Sequence, residues 1–418
     1  VKKYQKILLA YSGGLDTTVA IPWLREKTGA DIVAVGVDVG QPDDLEAAVT
    51  RAMSAGASEA YFIDAKEAFA DEVLLKALWT NALYEGEYPL LSALSRPLIV
   101  EKIVAEATKV GADAVAHGCT GKGNDQVRFE LSLAALAPGL PVLAPARHWG
   151  LTRDDALKYA YNHGIEVDWN APPYSIDENL WGRAVECGVL EDAWTAPPPD
   201  AYKITADPAA APGEPYEVTV DFVAGTPVAL SGYNLPFIDL VTQIGKLAGG
   251  SGVGRIDMIE NRTVGLKSRE VYECPAAVAL LRAHKALESM VLTRAEAHFK
   301  PVVEAAWANL VYAGQWHTPL RQALDAFVAS TQKFVTGSVR LRMYKGNLCV
   351  TGRKSPYSIY DDHLATYGEG DPFDHAASEG FIKISAMEIA TLAQKRVGAS
   401  ALFEVMDHEK ASLAQPVS

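Results

Sequence analysis

Short apolar runs alternate with helix-period segments through the first 170 residues. Residues 7–11, 32–37, 60–63, 114–117 and 142–144 are mostly apolar and predict buried strands. Between them, 17–27, 45–55, 65–84 and 98–110 predict helices. In the last of these Ile99, Val100, Ile103, Val104 and Ala107 form one apolar face, which a helix must bury. Strands apolar on both faces and separated by helices mean a parallel sheet covered on both sides, the doubly wound α/β class. Ligands of such sheets lie outside the strand C-terminal ends. Residues 10–18, 37–41 and 117–120 all fall there, so they predict one site.

The texture changes near residue 170. Pro172-Pro173 interrupts the chain, and 174–190 predicts a helix entered at the cap-like Ser175-Ile176-Asp177-Glu178. Residues 195–215 are rich in Pro and Ala and predict irregular structure. Alternation in 217–223 and 226–230 predicts a hairpin, and 337–344 with 347–352 predicts another across Lys345-Gly346. Helices are expected at 235–247, 276–297 and 293–312. The last element, 386–397, sets Ala386, Ile389, Ala390, Ala393 and Val397 on one face. It follows a Gly- and Asp-rich stretch at 368–380 and reads as an arm whose stripe needs a partner surface. The expected division is 1–170, 171–384 and 385–418.

A chain of 418 residues exceeds what one core organises. Its net charge of −14 argues against nucleic acid or an anionic membrane as partner, since both reward a basic face. Cys119, Cys187, Cys274 and Cys349 are far apart, with no zinc spacing and no disulfide framework. His117, His148 and His317 have no metal spacing and read as packing residues, so no metal site is expected. No apolar run reads as a signal peptide or spans a bilayer. A cytoplasmic location is expected.

The densest chemistry is Ala10-Tyr11-Ser12-Gly13-Gly14-Leu15-Asp16-Thr17-Thr18. A strand ends at Ser12, two glycines admit close approach to their N–H groups, and a helix opens with its dipole favouring an anion. Ser12, Thr17 and Thr18 add hydroxyls, a donor set suited to a polyphosphate. No lysine follows the glycines, so this is not a Walker A loop, and Thr17 stands where a Rossmann fingerprint needs its third glycine. The pattern resembles the pyrophosphate loop of enzymes that split ATP into AMP and pyrophosphate.

A second constellation runs from His117 to Glu130. Asn124 and Arg128, four apart, share a helix face. Arg128 can hold a carboxylate bidentately, Asp125 supplies an anion and Thr120 a hydroxyl, a set that fits an amino-acid zwitterion. A third runs Gly252-Val253-Gly254-Arg255-Ile256-Asp257, Glu260-Asn261-Arg262 and 267–273. Alone it reads as a solvated charge run, with Glu260 a surface carboxylate of little weight in stability.

Together with Ser175-Ile176-Asp177-Glu178-Asn179, these stretches resemble the argininosuccinate synthase family, in order, up to about residue 395. The resemblance implies an adenine-nucleotide alpha-hydrolase-like sheet, a mixed α+β synthetase domain and a C-terminal oligomerisation helix in a homotetramer. It implies an ATP-dependent ligase of arginine biosynthesis, joining citrulline and aspartate through a citrullyl-adenylate, with Mg2+ accompanying ATP and no organic cofactor. ATP falls to residues Ala10–Thr18, Val37 and Gly118, and aspartate to Thr120, Asn124 and Asp125. Citrulline falls to Tyr88, Asn124, Arg128, Ser175, Glu260 and Tyr272. Asn124, Asp125 and Arg128 are the expected catalytic set, with Asp125 the candidate acceptor of the amine proton. Ala93 and Ala184 stand where many members carry serine. A tRNA thiolase would want a cysteine pair and a basic face. A glutamine-dependent synthetase would want an N-terminal Cys or a glutaminase triad, and a non-catalytic ATP-binding regulator would not need the paired amino-acid sets.

Overall fold

Five parallel strands build the first sheet: β1 (Lys6–Ala10), β2 (Asp31–Asp38), β3 (Glu59–Asp64), β4 (Ala114–His117) and β5 (Val142–Leu143), in the order β3-β2-β1-β4-β5. The computed structural model describes residues 4–42, 44–150, 153–165, 174–368 and 370–396. Both faces of β1 are buried, as its apolar run requires. Ile7 and Leu9 pack with Val19 and Leu24 of the helix Leu15–Thr28, while Leu8 joins the core of the helix Leu91–Val110 on the other side. Strand order reverses at β1, which pairs with β2 on one edge and β4 on the other, so the crevice lies above its C-terminal end.

The strands fall within a residue or two of expectation, the helices less closely. The helix expected at 98–110 begins at Leu91, with Pro97 inside it. The helix expected at 65–84 stops at Trp79, contains a π segment at Phe69–Leu74, and is followed by Asn81 at φ +48°. The expected overlap of 276–297 and 293–312 resolves into Pro275–Val291 and Arg294–Tyr312, separated where Thr293 caps the second helix in a capping box with Glu296.

One expectation fails outright. Residues 174–190 are not a helix but β6 (Ser175–Asn179) and β7 (Gly182–Glu186), a hairpin followed by a short 3-10 turn. Ser175-x-x-Glu178 imitates a capping box, yet the same residues alternate, and tertiary partners choose the strand. The Asn179 Oδ1 accepts the Trp181 N–H at 2.8 Å to make the turn, and the buried Trp181 indole donates to the Pro89 carbonyl at 3.1 Å. The Pro172-Pro173 break lies outside the described residues.

Further strands are β8 (Tyr216–Val223), β9 (Thr226–Leu230), β10 (Tyr233–Asn234), β11 (Arg255–Asn261), β12 (Lys267–Glu273), β13 (Gly337–Tyr344) and β14 (Asn347–Lys354). Both expected hairpins, β8–β9 and β13–β14, form and join one antiparallel sheet, β10-β9-β8-β13-β14. The charge run at 255–273 is also a hairpin, in the antiparallel sheet β11-β12-β7-β6. Its register puts Ser175 opposite Glu186, Asp177 opposite Ala184, Ala184 opposite Tyr272 and Glu260 opposite Ser268. Side chains two apart on a strand share a face. Ser175, Asp177, Ala184, Glu186, Glu260, Glu270 and Tyr272 therefore stand on one side, and Val185 and Val271 pack in a small core on the other.

The chain divides into two compact units, 1–359 and 360–418. The second holds the helix His375–Arg396, which starts well before the expected 386 and takes Gly380 into its first turns. Phe381, Ile382, Ile384, Met387, Ile389 and Leu392 are all exposed. At 3.6 residues per turn these positions spread over more than half of the helix circumference rather than make one narrow stripe. The expected stripe member Val397 lies outside the described residues.

Candidate active site

The loop after β1, the ends of β2 and β4, and the polar face of the β11-β12-β7-β6 sheet enclose one cavity of about 970 Å³. Ala10, Tyr11, Ser12, Gly13, Gly14, Leu15, Asp16, Thr17, Val37 and Gly118 line it, as do Tyr88, Thr120, Asn124, Asp125, Arg128, Ser175, Glu260 and Tyr272. Among the expected site residues Thr18 alone does not. Its hydroxyl donates to the Gly14 carbonyl at 2.8 Å and meets the Tyr11 hydroxyl at 3.1 Å, while its N–H is spent on the Gly14 carbonyl. Thr18 braces the loop from inside.

Local sterics shape the loop. Gly13 sits at φ +80°, where a β-carbon would also press Ala48 Cβ at 3.1 Å. The Ser12 and Thr17 hydroxyls are 3.1 Å apart at the mouth of the helix Leu15–Thr28. Gly118 lies so close that a β-carbon there would fall 2.6 Å from Thr17 Cγ2. Glycine is required at 118 for that approach. The buried His117 fixes the next residues: its Nδ1 accepts the Cys119 N–H at 3.2 Å, leaving Nε2 to donate to Glu130 at 3.1 Å. His117 was expected to be a packing residue only; it lines the cavity.

Asn124 and Arg128 do share a face at the start of the helix Asp125–Leu136. The Asn124 Nδ2 donates to the Tyr312 hydroxyl at 2.8 Å, and Tyr312 donates on to Glu260 at 2.5 Å. Tyr272 donates to the other Glu260 oxygen at 2.7 Å. Glu260 is thus no surface group: it is 3% exposed. Burial pushes its carboxyl above the usual range, against the two phenol donors and Arg128. Stacked rings wall it in, Tyr88 on Tyr272 with centroids 4.2 Å apart and Tyr84 on Tyr312 at 3.5 Å.

Asp125 stands between two guanidinium groups. Arg96 reaches its Oδ2 at 2.8 Å and Arg128 its Oδ1 at 2.8 Å, and the same Arg96 nitrogen meets Asp177 at 2.7 Å. Burial would raise the Asp125 carboxyl, but Arg96 and then Arg128 outweigh it and hold the group at about 2. A carboxylate held so low is a poor proton acceptor at neutral pH. Asp125, the expected candidate acceptor of the amine proton, sits charged between Arg96 and Arg128 and aligns both.

Across the sheet, Arg262 pairs with Glu186 and, at 2.6 Å, with Glu270. Burial, Glu186 and Glu260 push Glu270 up to about 8 despite Arg262. Arg262 also donates to the Lys122 carbonyl at 3.3 Å, and the Thr263 N–H donates to Asn124 Oδ1 at 2.9 Å. Arg51, Arg96, Asp177, Glu186, Arg262, Glu270 and Tyr312 were not expected in the site. Alternation along β7 and β12 was the available signal for Glu186 and Glu270, while Tyr312 carries none. Among the described residues no group of three or more His, Cys, Asp or Glu could hold a metal ion.

Comparison with known proteins covers nearly the whole chain. Residues 6–166 match the family model "Arginosuccinate synthase N-terminal HUP domain" and 174–392 match "Arginosuccinate synthase C-terminal domain". Proteins named argininosuccinate synthase are similar at 53% identity in Bacillus licheniformis, over 94% of this chain and 98% of that one. In Lactiplantibacillus plantarum the identity is 52% over 96% and 98%, and in Listeria monocytogenes 53% over 91% and 94%.

The acid cluster makes stability depend on pH. Folded Glu270 keeps its proton up to about 8, whereas unfolded it would lose it near 4.5. Its contribution is full below the unfolded value and is lost as pH rises through the folded one. Urea denaturation across that range should show Glu270→Gln gaining on the wild type as pH rises. A stability gap independent of pH would mean that Glu270 is ionised throughout.

Proposed function

The chain belongs to the argininosuccinate synthase family, and we propose how its cleft divides the work among named residues. The reaction is an ATP-dependent carbon–nitrogen ligation of arginine biosynthesis, joining citrulline to aspartate and releasing AMP and pyrophosphate. The observation that carries the assignment is spatial. The loop of residues 10–18, the Asn124-Asp125-Arg128 turn and the Glu260/Tyr272 face, far apart in sequence, meet at a single cavity.

ATP lies on this loop, its adenine toward Val37 and Gly118 and its phosphates at Ser12, Gly13, Gly14 and Thr17. Thr18 serves by bracing the turn. Magnesium enters with ATP as part of that substrate. Arg128 takes the citrulline carboxylate, with Asn124, Ser175, Tyr88, Glu260 and Tyr272 around the rest of the molecule. Thr120, Asn124 and Asp125 bound the aspartate site. The ureido oxygen of citrulline attacks the α-phosphorus and pyrophosphate departs. The aspartate amine then attacks the ureido carbon and AMP leaves. A neutral urea is a poor electrophile, so adenylation supplies the leaving group. Positioning and charge stabilisation supply most of the remaining rate. Ala184 lines the cavity opposite Tyr272, so a ligand there gains no hydroxyl from position 184.

We read 1–170 as the nucleotide-binding part, 171–384 as the synthetase part and 385–418 as an arm, in a cytoplasmic homotetramer. The support for assembly is the helix His375–Arg396, apolar on several sides and exposed along its length. Such a helix needs more than one covering surface.

Pyrophosphate should be released from ATP only when citrulline is present, and aspartate should be needed only for argininosuccinate. Release of orthophosphate and ADP would remove the loop assignment. Arg128→Leu should weaken citrulline by about two to three orders of magnitude, the cost of stranding a buried carboxylate, while the KM for ATP stays near that of the wild type. An unchanged citrulline KM in a folded variant would take Arg128 out of the site. Light scattering of a chain ended after Ser385 should give fewer subunits than the full chain; an unchanged number would sink the arm.

A further inference from the structure

The phosphate loop has a charge deficit that the reading above leaves open. It offers N–H groups and hydroxyls, but residues 10–18 contain no Lys or Arg. A departing pyrophosphate concentrates negative charge there. Among the described residues six Lys and Arg side chains line the cavity: Arg51, Arg96, Arg128, Arg183, Lys203 and Arg262. Arg96 is committed to Asp125 and Asp177, and Arg128 pairs with Asp125 and is assigned above to the citrulline carboxylate. Arg183 pairs with Glu273 at 3.0 Å, and Arg262 pairs with Glu186 and Glu270. The Lys203 ammonium has no carboxylate partner among the described residues, but the backbone of Lys203 is held at the end of β12 by Glu273 at 2.9 Å, and no contact among those residues ties it to the loop of residues 10–18.

Arg51 is different. Among the described residues it too has no carboxylate partner, yet it touches the loop. Its Nη2 donates to the Gly13 carbonyl at 3.3 Å and the guanidinium also meets the Tyr11 hydroxyl, so both contacts are to neutral groups of the loop and part of the five-donor fork remains for an anion. Its place is fixed by packing. The Tyr11 hydroxyl donates to the Ala48 carbonyl at 3.0 Å, and Ala48 Cβ lies against Gly13. These contacts hold the helix Leu45–Ser54 on the loop. Arg51, three residues beyond Ala48, shares its helix face and so reaches the same glycine.

We infer that Arg51 is the pyrophosphate-binding cation of this site. The inference rests on the proposed seat of ATP on the loop and adds a residue to it. As the ureido oxygen bonds to the α-phosphorus, the bond from that phosphorus to the bridging oxygen breaks, and its electron pair stays on pyrophosphate. No proton moves. The planar guanidinium fork pairs with two phosphate oxygens at once and neutralises the charge that this step creates. Helix N–H groups alone position an anion but carry only partial charge.

The test is calorimetric titration of inorganic pyrophosphate into the full-length wild type, Arg51→Gln and Arg51→Lys, with thermal melts to establish folding. Arg51→Gln should bind pyrophosphate about tenfold to a hundredfold more weakly, the range of a charged hydrogen-bonding group. Arg51→Lys should recover part of the loss, and the citrulline KM should stay within about twofold in both. Arg51→Gln binding pyrophosphate as tightly as the wild type would overturn the role of Arg51 while leaving ATP on the loop. A wild type that binds no pyrophosphate in competition with ATP would overturn the seat of ATP itself, and this inference with it.

Discussion

A single guanidinium, that of Arg96, sits at the centre of the cleft and holds Asp125 from the first sheet's side and Asp177 from the β6 strand of the second. Asp125 passes the constraint on to Arg128 at 2.8 Å, and Arg128 ties into the Tyr312 carbonyl at 3.0 Å. The result is a chain of alternating charges, Asp177, Arg96, Asp125, Arg128, running across the floor of the cavity. Desolvating four charges is costly, and each attraction recovers that cost only when the geometry is tight. Removing one member strands its neighbours, so the arrangement fixes orientation more than it adds stability. The amino-acid end of the site inherits its geometry from this chain.

The two ends of the cavity handle charge in opposite ways. At the β1 loop the protein presents N–H groups, hydroxyls and an arginine with no carboxylate partner among the described residues, a surplus of donors suited to an anion. At the β12 face three carboxylates, Glu186, Glu260 and Glu270, meet mainly Arg262 and two phenols. Like charges in a buried place cannot all ionise, and the excess is relieved by a retained proton. An extended substrate with phosphate at one end and an ammonium at the other fits this polarity in one direction only.

Sequence alone exposed what is local. The glycines, hydroxyls and helix start of residues 10–18 occupy consecutive positions, and the parallel sheet follows from apolar runs that need no partner to be recognised. The Asn124–Arg128 pair is one helical turn. What escaped depends on distance. Tyr312 is nearly two hundred residues from the Asn124 it contacts, in a helix whose periodicity says only that one side is buried. Residues 174–190 read as a helix because a cap-like tetrad is a local signal, whereas pairing with β12 is not. Glu260 looked exposed for the same reason: its burial comes from Tyr84, Tyr88 and Tyr312, all supplied by other elements. Arg51 carries no local signal either, since its approach to the loop comes from Ala48 packing against Gly13.

The backbone between Thr120 and Asn124 is held from the opposite wall, through Arg262 on the Lys122 carbonyl and the Thr263 N–H on the Asn124 side chain. The same Arg262 is the counter-charge of Glu186 and hydrogen-bonds to Glu270. On the proposed assignment of the two amino-acid sites, a ligand that draws on those carboxylates acts through Arg262 on the loop that faces the other amino acid. On that assignment the two amino-acid sites share a free energy, and whatever one occupant does to the affinity of the second, the second must return in equal measure to the first.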